Sequence, residues 1–193
     1  MRILVTGREG QVAKALLASA DVRPETLTVR ALGRPDLDLT DGASIARAIA
    51  DFSPVLLVNA AAYTAVDKAE SEEDLAFAVN RDGAGNAASA AAAAGIPIIH
   101  LSTDYVFAGD GDAPYREDDA TGPLGVYGRS KLAGEDAVRA ANPMHVILRT
   151  SWVYAPWGNN FAKTMLRLAG DRDVVRVVAD QRGAPTYAPD IAA

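Results

Sequence analysis

Short apolar runs alternate along this chain with longer stretches whose apolar residues recur at helical spacing. The runs are Arg2–Thr6, Leu27–Leu32, Val55–Asn59, Ile96–Leu101, His145–Thr150 and Val174–Ala179. They are rich in Val, Ile and Leu with little strict alternation, the pattern of strands covered on both faces. Between them, Gln11–Ala20, Asp41–Phe52, Ser71–Ala94 and Tyr127–Ala141 predict helices. Thr40 or Asp41 can cap the second helix, and Ser71 with Asp74 makes a weak capping box for the third. Ala87–Ala94 reads as the end of that long helix, since alanine favours helix and lets it lie close on a sheet. Four repeats of strand and helix predict an α/β fold, a doubly wound Rossmann-type parallel sheet with helices on both faces. Ala108–Val126, polar and rich in Gly, Asp and Pro, predicts a long surface loop, and such loops often carry function.

Composition narrows the chemistry. The 193 residues contain no cysteine, which excludes disulfides, a thiolate zinc site and a thiol nucleophile. With 19 Lys+Arg against 25 Asp+Glu, the net charge is −6. No basic patch points to nucleic acid or to an anionic membrane. The apolar run after Met1 stops at Gly7, too short for a signal peptide. Asn86–Ile99 is too weakly apolar to span a bilayer and is broken by Gly95 and Pro97. A cytoplasmic protein is the expectation. His100 and His145 stand at strand ends without a partner at metal spacing and read as core or edge histidines. Glu117, Asp118 and Asp119 read as a solvated run, so no metal site is expected.

The candidate chemistry clusters after strand ends. Gly7-Arg8-Glu9-Gly10-Gln11-Val12-Ala13 follows the first strand and opens the first helix. Gly7 permits a tight turn, Gly10 lets a pyrophosphate approach the backbone, and Ala13 allows close helix–strand packing. The helix N-terminus offers free N–H groups and positive dipole to phosphates. The second strand ends without a carboxylate to hold a ribose 2′-hydroxyl, whereas Arg34 could pair with a 2′-phosphate. That favours NADPH, with NADH as the other coenzyme the site could use.

Tyr127 and Lys131 stand at i and i+4, on one helical face. A neighbouring cation favours the phenolate, which predicts a Tyr127 pKa lowered toward the working pH. Ser102 and Thr103 leave the fourth strand at the same sheet edge and offer hydroxyls to a substrate carbonyl. Asn59–Glu70 leaves the third strand; its alanines expose bare backbone to a cofactor, and Thr64–Lys68 could face nicotinamide and substrate. Trp152, just after the fifth strand, could wall a sugar ring or lie in ordinary core.

These motifs together resemble the extended short-chain dehydrogenase/reductase superfamily, and within it the dTDP-4-dehydrorhamnose reductases. The resemblance rests on Gly7–Val12, Asn59–Glu70, Ser102–Phe107, Tyr127–Glu135, Arg149–Tyr154, Asn159–Leu168 and Asp180–Thr186. It implies a catalytic set of Thr103, Tyr127 and Lys131, reducing the C4 carbonyl of a dTDP-4-keto-6-deoxy sugar. Tyr127 would protonate the oxygen, Lys131 would hold the nicotinamide ribose and tune Tyr127, and Thr103 would orient the carbonyl or the phenol. The implied cofactor contacts are Gly10, Gln11, Val12, Asp38, Leu39, Ala62, Tyr63 and Thr64, joining Gly7 and Arg34. The implied substrate contacts are Val66, Asp104, Tyr105 and Trp152.

Two departures from the family matter. Some members form dimers bridged by magnesium through glutamates, and the matching positions here are Ala15 and Pro189. A homodimer is therefore expected only without that bridge. Family chains also continue well beyond this length. Residues 1–150 are expected to form the dinucleotide-binding domain. Residues 151–193 would begin the substrate-binding region and add a sixth strand, with the smaller C-terminal sugar-nucleotide domain largely absent and the chain truncated. Two other readings stand beside the reductase. One is a nucleotide-sugar epimerase or dehydratase, though dehydratases carry an Asp-Glu pair where Asp104 is followed by Tyr105. The other is an NAD(P)-binding regulatory subunit resembling the methionine adenosyltransferase β subunit, against which the intact Thr64–Lys68 segment counts.

Overall fold

A computed structural model describes residues 1–193. Strands β1 (Arg2–Thr6), β2 (Thr28–Leu32), β3 (Leu56–Asn59), β4 (Ile98–Thr103) and β5 (His145–Thr150) form a sheet ordered β2-β1-β3-β4-β5. Every neighbouring pair is parallel. Pairing in strand order reverses at β1, which has β2 on one side and β3 on the other. Open α/β sheets bind ligands at such a reversal, beyond the carboxyl ends of the strands.

Two cores explain why the strands read as unbroken apolar runs. On one face, Ile3, Val5 and Val58 pack with Val12, Ala13 and Leu16 of helix α1 (Gln11–Asp21). On the other, Leu4, Leu57 and Ile98 meet Ile45, Ile49 and Phe52 of α2 (Gly42–Phe52) and the alanines of α5 (Gly83–Ala93). Leu4, Ile45 and Leu57 are wholly buried, each contributing about 1.5–3 kcal/mol by removal from water. Asp41 caps α2 by accepting a hydrogen bond from Ala43 N at 3.0 Å.

The long helix expected over Ser71–Ala94 forms as one unbroken helical run from Glu73 to Ala93, with a π-helical stretch inside it. Short helices α3 (Val66–Ala69) and α4 (Glu73–Phe77) precede a π-helical segment, Ala78–Asp82, which runs into α5. Ser71 makes no capping box; its hydroxyl donates to Lys68 O. The π segment turns Asn80 fully inward, where its amide serves the site described below. π-bulges are common at such places.

The expected strand at Val174–Ala179 is absent. Val174, Val177 and Val178 are exposed, because no apolar layer within these 193 residues covers them and β5 keeps a free edge. Instead β6 (Val153–Tyr154) and β7 (Thr186–Tyr187) form a separate two-stranded parallel ribbon. Helix α7 (Phe161–Asp171), capped by Asn160 and burying no residue, and the short α8 (Ala188–Ile191) complete the chain. Residues 108–125 form the expected loop, folded back by stacking of Tyr115 on Phe107 at 4.3 Å.

Helix α6 (Val126–Ala141) carries Tyr127 and Lys131 and sits unusually close to its neighbours. A Cβ at Gly134 would collide with the Asn80 carbonyl, and one at Gly128 with the Tyr105 carbonyl. Gly134→Ala is expected to lose about 1–3 kcal/mol of stability through overpacking against backbone. A lowered urea midpoint with an unchanged slope would show it. No helix of the structure is long and apolar enough to cross a membrane.

Candidate active site

The turn after β1 has the shape expected of a phosphate cradle. Gly7 adopts φ +87° and lies against Ala61, where a Cβ would come within 3.2 Å of the Ala61 methyl carbon. A Cβ at Gly10 would meet nothing within 4 Å, and no side chain caps the first turn of α1. Open space above uncapped N–H groups fits a dinucleotide pyrophosphate.

Gln11 and Val12 can serve that cradle only through their backbone. Val12 is in the core. The Gln11 amide donates to Val153 O at 3.0 Å and accepts from Asn160 at 2.9 Å, while Trp157 Nε1 donates to Gln11 O at 3.0 Å. This lashes residues 153–160 to the start of α1. In the loop between β2 and α2, Asp38 accepts from Thr40 N and Oγ1 at 2.9 and 2.8 Å. Those bonds, against a small burial effect and with help from Arg34, hold its carboxyl below the ordinary value. Leu39 is buried, its carbonyl bound by Asn86 at 3.0 Å. Arg34 is exposed.

The Ala60–Ala65 segment is fixed to α6 by Asn80. Its Oδ1 accepts from Tyr63 N at 2.9 Å, and its Nδ2 donates to Tyr63 O and to Ser130 Oγ. Ser130 Oγ in turn donates to Tyr127 O at 2.8 Å. Tyr63 donates its hydroxyl to Glu72 at 2.6 Å, a bond that pushes the phenol up to about 12. Ala62 is partly covered and Thr64 exposed on the same segment. Glu70 accepts from Val126 N at 2.8 Å, capping α6 from outside.

Lys131 is where the sequence reading needs its main correction. Tyr127 and Lys131 do share a helix face, but they form no hydrogen bond with each other. Lys131 is 2% exposed; its ammonium donates to Leu101 O at 2.7 Å and stands 3.4 Å from His100 Nε2. Burial lowers its pKa to about 8, partly opposed by the Glu135 carboxylate. The Tyr127 phenol is raised rather than lowered. Burial dominates, Asp104 and Tyr105 add to it, and the Thr103 hydroxyl beside it opposes. Desolvating the phenolate outweighs the Thr103 hydrogen bond.

Thr103 is buried, donates to Asp104 at 3.2 Å and accepts from Tyr105 N at 3.2 Å. Burial pushes the Asp104 carboxyl up. Ser102 does not face a ligand: its hydroxyl donates to Glu135 Oε1 at 2.6 Å. Glu135 is fully buried and also accepts two bonds from Arg149, at 2.9 and 2.8 Å, and one from Arg139 at 2.8 Å. Thr6, Asn59 and His100 form a second buried chain behind Lys131. Asn80, Ser130, Glu135, Arg149, Asn59, Gln11's partners and Trp157 were missed as site-building residues. For Asn59, Ser130, Glu135 and Arg149 the available signal is a polar residue on a sheet strand or on α6; Asn80, Trp157 and Asn160 carry none.

One cleft of about 1490 Å³ gathers Val66, Asp104, Tyr105, Tyr127 and Trp152. The Tyr105 and Tyr127 rings meet edge to face at 5.6 Å. Trp152 is 47% exposed, backs onto Gly183 and holds φ +44°, a strained value for a side-chain-bearing residue. It is a wall and not core. Thr103 and Lys131 lie behind this cleft, outside its lining. Ala15 is buried in α1 and Pro189 lies in α8, and neither side chain can ligate a metal. No three His, Asp or Glu residues are placed to hold one.

Comparison with known proteins places this arrangement. Residues 1–193 match the family described as RmlD substrate binding domain. A dTDP-4-dehydrorhamnose reductase of Sinorhizobium fredii is 59% identical over 191 residues, covering 99% of this chain and 64% of its own length. Among solved structures, the dTDP-4-dehydrorhamnose reductase of Clostridium acetobutylicum superposes with TM-score 0.94 at 40% identity, covering 100% of this chain and 68% of its own. The Bacillus anthracis reductase in complex with NADP does so with TM-score 0.94 at 40% identity, covering 99% and 67%. The chain thus spans a little under two thirds of the curated Sinorhizobium relative it matches. A family match from first residue to last, with the fold shared at 0.94, leaves one conclusion: the chain belongs to the RmlD family, that of the dTDP-4-dehydrorhamnose reductases.

Proposed function

We propose that this chain carries the catalytic part of a reductase that uses NADPH, or NADH, to reduce the C4 carbonyl of a dTDP-4-keto-6-deoxy sugar in the cytoplasm. The product would be dTDP-L-rhamnose. The observation that carries the reading is the single cleft that brings Tyr127 together with Val66, Asp104, Tyr105 and Trp152. Residues 1–150 hold the coenzyme, and residues 151–193 begin the sugar-nucleotide side.

A reduced nicotinamide, when bound, supplies the hydride. Gly7, Gly10 and the backbone N–H groups of Gln11 and Val12 receive the pyrophosphate, and Arg34 with Asp38 and Leu39 receives the adenosine end. The exposed Arg34 guanidinium favours a 2′-phosphate, in keeping with the NADP complex of the Bacillus anthracis relative. Ala62, Tyr63 and Thr64 line the path between coenzyme and sugar. Tyr127, kept neutral by burial, gives its proton to the carbonyl oxygen. Thr103 orients that phenol from behind. The Lys131 ammonium has three donors and two protein partners, which leaves one for the nicotinamide ribose. Val66, Asp104, Tyr105 and Trp152 hold the sugar.

The test is coenzyme oxidation by this protein with the dTDP-4-keto sugar. One coenzyme consumed per sugar reduced is the expected result. Catalytic conversion without net oxidation would instead indicate an epimerase, and no turnover with tight coenzyme binding a binding subunit.

A further inference from the structure

Behind the cleft, four side chains form a line of contacts. Lys131 Nζ stands 3.4 Å from His100 Nε2, and His100 Nδ1 stands 3.0 Å from the Asn59 amide. The Asn59 amide meets Thr6 Oγ1 at 2.5 Å, and Thr6 Oγ1 accepts from Ala61 N at 3.2 Å. All four side chains are buried, His100 at 1% exposure. Ala61 is the residue against which Gly7 packs. The line thus joins the lysine to the floor of the phosphate cradle.

Its donor and acceptor roles depend on the charge of the lysine. A neutral imidazole has one donor and one acceptor nitrogen, whereas an ammonium only donates. With Thr6 donating to Asn59 Oδ1, the Asn59 Nδ2 donates to His100 Nδ1. His100 then carries its proton on Nε2 and needs an acceptor, which a neutral Lys131 amine provides. A charged Lys131 reverses this. Nε2 must become the acceptor, Nδ1 must carry the proton, and Asn59 must turn its amide to present Oδ1. Thr6 Oγ1, with two lone pairs, then accepts from both Ala61 N and Asn59 Nδ2.

We propose that His100 is a positioning residue that accommodates both protonation states of Lys131, exchanging its ring tautomer in concert with a half-turn of the Asn59 amide. The ring itself stays neutral, because burial and the lysine charge hold its pKa well below the ordinary histidine range. The charged and titratable groups around Lys131 are few. Glu135, on α6, favours the ammonium; Tyr127 shares its face; His100 meets it from β4. Lys131, lowered to about 8, crosses between its states near neutrality, not far above it. The catalytic consequence rests on the reductase reading, since it is there that Lys131 serves the nicotinamide ribose. The exchange itself is a property of the protein alone.

NMR of the protein tests it without any turnover. There are four lysines and two histidines, so the Lys131 side-chain carbon and the His100 ring nitrogens can be followed together from acid to alkaline pH. The expected result is a His100 tautomer that passes from Nδ1–H to Nε2–H with the same midpoint as Lys131. A single tautomer throughout, or an imidazolium appearing above pH ~5, overturns the proposal. His100→Leu supplies a second measurement. The charge-assisted bond lost by the ammonium is stronger than that lost by the amine, so the Lys131 midpoint should fall by about half a pH unit or more. An unmoved midpoint in a folded variant overturns the proposal as well. Either failure leaves coenzyme oxidation by the wild-type protein untouched, and failure of that oxidation leaves the tautomer measurement intact.

Discussion

Tyr127→Phe is expected to lower kcat for reduction of the dTDP-4-keto sugar by about 10²–10⁴-fold, while the coenzyme Kd stays within a few fold. The phenyl ring keeps the edge-to-face contact with Tyr105, at 5.6 Å between centroids, so the wall of the cleft is preserved. What disappears is the one proton that the cleft can present to a carbonyl oxygen from this position. Because burial raises the Tyr127 pKa, the phenol stays protonated across the neutral range. Reduction should accordingly keep its proton donor through neutrality, and its alkaline limb should begin near pH 8, where Lys131 and not the phenol loses its proton. Stopped-flow coenzyme oxidation and fluorescence titration of the coenzyme separate the two parameters. Loss of coenzyme binding with kcat retained would remove Tyr127 from the chemistry.

The second large effect is expected at Glu135. This carboxylate is wholly buried and receives bonds from Ser102, Arg149 and Arg139, so it holds β4, β5 and α6 in one arrangement. Replacing Glu135 with alanine strands the partly buried Arg149 against the Phe107 ring and should cost about 3 kcal/mol, the low end of the penalty for a buried charge left without its partner. Glu135→Gln keeps the shape and should cost less, about 1.5–3 kcal/mol. Burial pushes the Glu135 pKa up, but bonds from Arg149 and Ser102 outweigh it and leave the value lowered. A carboxyl lowered in the folded state stabilises above its unfolded pKa. That contribution is lost as pH falls through the lower, folded value. Urea midpoints should therefore fall with acid more steeply in the wild-type protein than in Glu135→Gln; parallel slopes would count against the assignment.

Legibility from sequence differed by the range of the interaction. The strands β1 to β5 and helices α1, α2 and α6 were read close to their observed bounds. Their signals are local: apolar runs, helical spacing and a cap at Asp41. Val66, Asp104, Tyr105 and Trp152, which family resemblance implies as substrate contacts, line one cleft with Tyr127. The helix expected over Ser71–Ala94 is present from Glu73 to Ala93, but its π-helical stretch is not legible, because nothing in its composition marks the extra residue. That stretch sets the Asn80 carbonyl where a Cβ at Gly134, distant in sequence, would collide with it. The strand expected at Val174–Ala179 failed for the converse reason, since strand propensity stabilises nothing without a covering layer.

The amino-acid order alone determined the alternation of strand and helix, the glycine turn at the first crossover and the i, i+4 placement of Tyr127 and Lys131, because each depends on backbone periodicity and on neighbours within a few residues. Tertiary structure decided where the lysine's charge goes and which way the tyrosine's pKa moves. Both depend on desolvation and on His100, Leu101 and Glu135, which reach Lys131 only after β4 and α6 have packed. Solvent exclusion is a property of the folded whole, and no short window of residues encodes it.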